Sequence, residues 1–136
     1  MKVSFDFDDT LCCSLYGDPL WEVVNLMKAH HEKGDEIFIV TTRMHYHMPE
    51  VDMFVESYNL PVKKENRHCT NMKYKNDTLK KLGIEKHFDD NPDEFDCMDK
   101  SIEKIFVHPD GVPKDWESFD KTRTYRRTGF QPDRGI

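Results

Sequence analysis

The chain has 136 residues, enough for one domain and too few for two well-formed cores. Its hydrophobic share of 37%, charged share of 34% and aromatic share of 12% fit a folded globule and argue against disorder. A net charge of −6 excludes a whole-surface nucleic-acid binder, and no apolar run approaches the ~20 residues needed to cross a bilayer.

The first five residues run straight into an aspartate, which is not the pattern of a signal peptide. Residues 3–7 are apolar-rich and end in acids, as a buried strand does when it stops at a site. Residues 12–18 read as a loop with Gly17 and Asp18 as turn residues. Pro19 suits the first turn of a helix to about Glu32, where Leu20, Val23, Val24 and Met27 recur at helical spacing and Gly34 marks the stop. Residues 37–40 are continuously apolar, which predicts a strand covered on both faces. A second helix is expected over 49–58, with Val51, Phe54 and Val55 on one side, and a short third strand somewhere within 61–72. Residues 77–82 predict a helix closed by Gly83, and 86–88 a strand running into Asp89-Asp90. A brief helix near 93–101 and a strand at 105–107 follow. From Pro109 onward there is little periodicity, so 1–108 are expected to form the core and 109–136 a C-terminal extension, within the same domain or as a tail.

Strands alternating with helices at this spacing predict a three-layer, Rossmann-like α/β fold with a mainly parallel sheet. In such a sheet ligands bind beyond the carboxyl ends of the strands. The polar residues there are Asp6 and Asp8, then Thr41, then Asp89 and Asp90, with Lys75 just ahead of the helix that precedes the last pair. Carboxylates converging in one cleft need a compensating cation, and hard oxygen ligands select Mg²⁺. A lysine and a hydroxyl beside that ion are natural partners for phosphate oxygens, and the ensemble is what phosphoryl transfer to a carboxylate requires.

Asp6-Phe7-Asp8-Asp9-Thr10, then Thr41-Thr42-Arg43, then Lys75 ahead of Gly83, then Asp89-Asp90, resembles the motif series of the haloacid dehalogenase superfamily of phosphohydrolases. The resemblance spans residues 3–107 and implies a role for each match. Asp6 would be the nucleophile that becomes an aspartyl-phosphate; Asp8 would be general acid and base, its backbone carbonyl also meeting Mg²⁺. Thr41 would hydrogen-bond the phosphoryl group, with Thr42 its rival and Arg43 beside it as a substrate-binding residue. Lys75, with Lys73 its rival, would neutralise Asp6 and the phosphate. Asp90 would ligate Mg²⁺, and Asp89 would support it directly or through water. Relatives choose substrates with an inserted cap domain, and neither the interval after Thr10 nor that after Thr41 has room for one. The chain therefore looks like a capless member, similar also to the phosphatase portion of polynucleotide kinase-phosphatases and to small nucleotidases. A nucleotide, a polynucleotide 3′-phosphate or another small phosphomonoester is the implied substrate.

Other features have plainer readings. Thr10 ties the loop, and Asp9 is a solvated loop residue or helper. His30-His31 suits a helix end, His45-Tyr46-His47 a surface loop in preference to substrate contact, and Trp21 and Trp116 packing. No histidine–cysteine spacing fits a structural zinc. Cys12, Cys13, Cys69 and Cys97 read as free thiols of a cytoplasmic protein. The basic run 121–127 could contact a phosphate backbone weakly, though a solvated or oligomer-contacting tail is the default. Two rival classes remain: a phospho-accepting receiver-like module, which the order of Lys75 before Asp89-Asp90 opposes, and a silent interaction protein, which the full residue set opposes.

Overall fold

The computed structural model describes residues 1–119, so the basic run 121–127 lies outside the described residues. Six strands, β1 (Lys2–Phe5), β2 (Glu36–Thr41), β3 (Arg67–Cys69), β4 (Lys86–Asp89), β5 (Glu103–Val107) and β6 (Pro113–Asp115), form one sheet in the order β3-β2-β1-β4-β5-β6. The first five are parallel and β6 is antiparallel to β5. Four helices connect them: α1 (Trp21–Glu32), α2 (Met48–Ser57), α3 (Asn76–Leu82) and α4 (Pro92–Asp96).

Strand alternation divides the core into two layers. Ile37 and Ile39 pack with Val23, Val24 and Met27 of α1 and with Val51 and Val55 of α2. Their neighbours Phe38 and Val40 point the other way, into a cluster with Leu79 of α3, Phe95 of α4 and Trp116. Residues 37–40 are apolar without interruption because both faces are covered, each such burial contributing about 1.5–3 kcal/mol. Phe5 stacks on Phe88 at 4.4 Å across the β1/β4 pair, on the α1 side.

The turn out of α3 fixes where β4 begins. Gly83 adopts φ +77°, so its amide reaches the carbonyl of Lys80 (3.1 Å) and that of Ile84 reaches Leu79 (2.9 Å). Some elements depart from expectation. Strand β1 ends at Phe5, short of Phe7, and α1 begins at Trp21 with Leu20 at its N-cap, so Pro19 precedes the helix and bridges to Cys12. The helix expected over 93–101 stops at Asp96, where the amides of Cys97 and Met98 bond three residues back and close a tight turn. Past Pro109, β6 extends the sheet. Three residues are too short to show a period, and Pro113 lacks the amide of a central strand but is tolerated at an edge. Trp116, just after β6, is buried against Phe95 and Phe106. Trp21 is half-exposed and packs edge-on against Tyr58.

From β1 the chain proceeds through β2 and β3 to one side of the sheet, then crosses to β4 and β5 on the other. The direction reverses between β1 and β4, and such a switch point leaves a crevice at the strand carboxyl ends. The interval from β1 to β2 holds a loop and α1; that from β2 to β3 holds α2 and short turns at His45–His47 and Lys64–Asn66, with no further domain. Among the described residues no helix is long and apolar enough to cross a membrane.

Candidate active site

Asp6 follows β1 directly, and its amide bonds to the carbonyl of Phe88 (2.9 Å), which keeps it level with the end of β4. The loop then folds tightly: the Phe7 carbonyl accepts from the amides of Thr10, Leu11 and Cys12. Asp9 takes φ +60°, a conformation aspartate tolerates, and its carboxylate holds the amide and hydroxyl of Ser14 at 2.9–3.0 Å. Asp9 is thus an anchor of the loop. Thr10, fully buried, shares its hydroxyl hydrogen between Asp6 Oδ2 (3.4 Å) and Asp90 Oδ1 (3.5 Å).

Lys75 lies at the mouth of α3 with its ammonium between Asp6 Oδ1 (2.8 Å) and Asp89 Oδ2 (2.6 Å). Only 1% of Lys75 is exposed, whereas Lys73 is exposed; Lys75 is therefore the lysine that reaches the strand ends. Burial works against its charge, but the carboxylates of Asp6, Asp89 and Glu94 outweigh that and hold the ammonium well above the ordinary lysine range. Burial also opposes ionisation of Asp89, yet Lys75 and His87 bring its carboxyl down to about 2. Asp6 goes the other way, up to about 6, through burial and the neighbouring charge of Asp89.

Carboxylate oxygens of Asp6, Asp89 and Asp90 lie within 4.8 Å of one another, the only cluster of this kind among the described residues. Asp89 accepts from Lys75, from His87 (2.8 Å) and from the Asn91 amide (3.1 Å), Asp6 accepts from Lys75, and each of the three carboxylates still has an oxygen in the cluster that could meet a cation. Asp8 stands apart. Its two oxygens take both prongs of the Arg43 guanidinium at 2.9 Å, and a third nitrogen of Arg43 reaches Glu50 at 2.7 Å. Those acceptors push the Arg43 pKa upward. Thr41 is buried at the end of β2 and accepts the Arg43 amide (3.2 Å), leaving its hydroxyl hydrogen to donate; Thr42, next in the chain, is half-buried. The exposed turn His45–His47 lies on the surface.

Three supporting residues escaped the sequence reading. His87 precedes Asp89 by two on β4, and Ser4 is its register partner on β1. Burial pushes the His87 imidazolium down, so the ring is neutral. Since Asp89 can only accept, Nε2–H donates to it and Nδ1 accepts the Ser4 hydroxyl (2.6 Å). The period-two spacing of His87 and Asp89 was the available signal. Glu94 of α4 accepts the Lys75 amide (2.9 Å), and burial raises its carboxyl to about 7. Nothing local in the sequence announces that contact across 19 residues.

Compared by sequence, the chain matches no family model and no curated protein. Compared by structure, it superposes on a chain of the Pnkp1/Rnl/Hen1 complex with a TM-score of 0.63 at 17% identity, covering 79% of this chain and 46% of that one. A chain of the Pnkp1/Rnl/Hen1 RNA repair complex gives 0.62 at 16% identity, with 79% and 42% covered. The chain thus spans under half the length of these neighbours, and at such identity the likeness is one of fold.

Proposed function

We propose that the chain is a Mg²⁺-dependent phosphomonoester hydrolase of the haloacid dehalogenase type that works through an aspartyl-phosphate on Asp6. The observation that carries this reading is the Lys75 ammonium set between Asp6 and Asp89, with Asp90 alongside, at the sheet's switch point. The neighbours' place in an RNA repair complex supports a nucleotide or a nucleic-acid end as substrate.

Asp6 and Asp90 would hold the metal, with Asp89 oriented behind them by His87 and Lys75. The ion, when bound, supplies charge neutralisation for the phosphate. Asp6 attacks phosphorus as the ester P–O bond breaks, and Asp8 gives its proton to the departing oxygen. In the second step Asp8 takes a proton from water, the water oxygen bonds to phosphorus, and the Asp6 carboxylate leaves. Lys75 keeps Asp6 ionised and meets a phosphate oxygen, and the Thr41 hydroxyl donates to another. To carry a proton Asp8 must release one prong of Arg43, and Glu50 remains as the acceptor that steadies the guanidinium.

Steady-state assays with an aryl phosphate and with 3′-phosphorylated RNA should show sustained, Mg²⁺-dependent phosphate release that excess chelator stops. Release of one equivalent of the alcohol per chain, with the phosphoryl group retained on the protein, would instead support the receiver-like module.

Two further outcomes follow from the geometry. Arg43→Met should lower kcat/KM by about 10–100-fold, because Asp8 loses its orientation, and Arg43→Lys should recover little, since an ammonium cannot reproduce the two-pronged contact. Mg²⁺ should raise the melting temperature more at pH 7.5 than at pH 5.5. The folded Asp6 carboxyl sits at about 6 against an ordinary 3.8, so the metal-free protein loses that contribution as pH rises through 6. At pH 7.5 the ionised form is ready for the ion, whereas at pH 5.5 a proton must first leave. At 100 times Kd the gain is about 2.7 kcal/mol. Equal shifts at both pH values would remove Asp6 from the ligand set.

A further inference from the structure

Beside the carboxylate cluster, a groove of ≈ 360 Å³ runs between the loop after β1 and helix α2. Asp8, Arg43, Phe7 and Phe54 line it, and Met53 and Tyr58 belong to its α2 side. We infer that this groove receives the nucleoside that bears the scissile phosphate. The inference rests on the phosphatase reading, and it names the substrate class of that same site.

Position comes first. Asp8 lines the groove, and Asp8 is the residue that protonates the departing oxygen; whatever that oxygen carries is therefore led into the groove. Charge comes second. Arg43 is the one cation among the lining residues, and it is already held by Asp8 and Glu50, so the groove has no spare cation for an anionic occupant. Shape and chemistry come third. The volume falls in the ~300–1,000 Å³ range of small-molecule sites and exceeds what one simple aryl ring needs. Phe7 and Phe54 are buried beneath the groove, while the exposed Met53 thioether and the half-buried Tyr58 ring present apolar surface to an occupant, and the Ser14 and Ser57 hydroxyls offer polar partners for the edge of a base or for a sugar. The rim agrees: Met53 is 66% exposed, and Leu15 and Tyr16, on the turn between lining residues Ser14 and Gly17, are 82% and 79% exposed.

The test compares kcat/KM for adenosine 5′- and 3′-monophosphate, ribose 5-phosphate, and an oligoribonucleotide ending in a 3′-phosphate. The nucleoside-bearing substrates are expected to exceed ribose 5-phosphate by about tenfold or more. Which of them leads tells whether the nucleoside arrives free or as the end of a strand. Met53→Asp and Tyr58→Ala should each shrink that preference several-fold, with folding of the second checked by circular dichroism. A ratio near one in the wild type, or one unmoved by both substitutions, overturns the proposal. A readout without turnover separates this from failure of the phosphatase reading. Adenosine titrated into the protein should shift the Met53 methyl and Tyr58 ring resonances even if no phosphomonoester is hydrolysed, and no shift at millimolar adenosine overturns the site.

Discussion

Replacing Asp6 by asparagine should abolish Mg²⁺-dependent hydrolysis of an aryl phosphate, by more than about 10⁴-fold in kcat, while the protein stays folded. The rate loss follows because the amide cannot form the acyl phosphate, and no other carboxylate stands in the same place. Asp89 is committed to Lys75, His87 and the Asn91 amide, and Asp8 to Arg43. The fold should survive for a separate reason. Burial and the charge of Asp89 raise the Asp6 carboxyl to about 6, so at pH 7.5 its ionised form is a liability in the metal-free protein. Asparagine is neutral and nearly the same shape, and Lys75 keeps Asp89 at 2.6 Å. The metal-free variant should therefore melt no lower than the wild type at pH 7.5, and it should gain less from Mg²⁺. Activity persisting in a folded Asp6→Asn protein would exclude the aspartyl-phosphate route.

How much of this could be read beforehand depends on whether a residue's surroundings are local. The apolar run at 37–40 announces a strand buried on both faces, and Gly83 announces the end of α3; both signals are a few residues long. The convergence of Asp6 with Asp89 and Asp90 was legible because parallel strands put successive strand ends on one side. By contrast, β6 is three residues long and owes its place to pairing with β5, and α4 is cut short by turn bonds that no composition reveals. Arg43 reads from the sequence as a ligand for substrate, yet the fold places Asp8 and Glu50 in its reach. Glu94 and Ser4 act through partners 19 and 83 residues away, and only the tertiary fold makes them neighbours. The carboxylates and the lysine that the fold brings together were recognisable at strand and helix ends, while His87, Ser4 and Glu94 around them were not.

Lys75→Met should be the most destabilising single change at the site, and its cost should depend on pH. The ammonium is 1% exposed and lies 2.8 Å from Asp6 and 2.6 Å from Asp89, themselves buried. Without it two ionised carboxylates face each other in the interior, and breaking such a pair costs about 3–5 kcal/mol. The wild-type Asp6 carboxyl stands at about 6 with Lys75 pulling it down, so in the variant it rises further. A carboxyl raised in the folded state favours folding below its ordinary value of 3.8, and that contribution disappears as pH climbs through the folded value. The deficit of Lys75→Met should accordingly be smaller near pH 4–5, where Asp6 holds its proton and Asp89 alone loses its partner, and full by pH 8. Mg²⁺ at pH 7.5 should restore part of the stability, since a cation again sits among the carboxylates, but not the activity, since the phosphate has lost its ammonium. Urea unfolding at pH 4.5 and pH 8, with and without Mg²⁺, measures all of this. A deficit independent of pH would instead assign the loss to packing of the four-carbon stem, and would remove the charge balance between Lys75 and Asp6 from the account of the site.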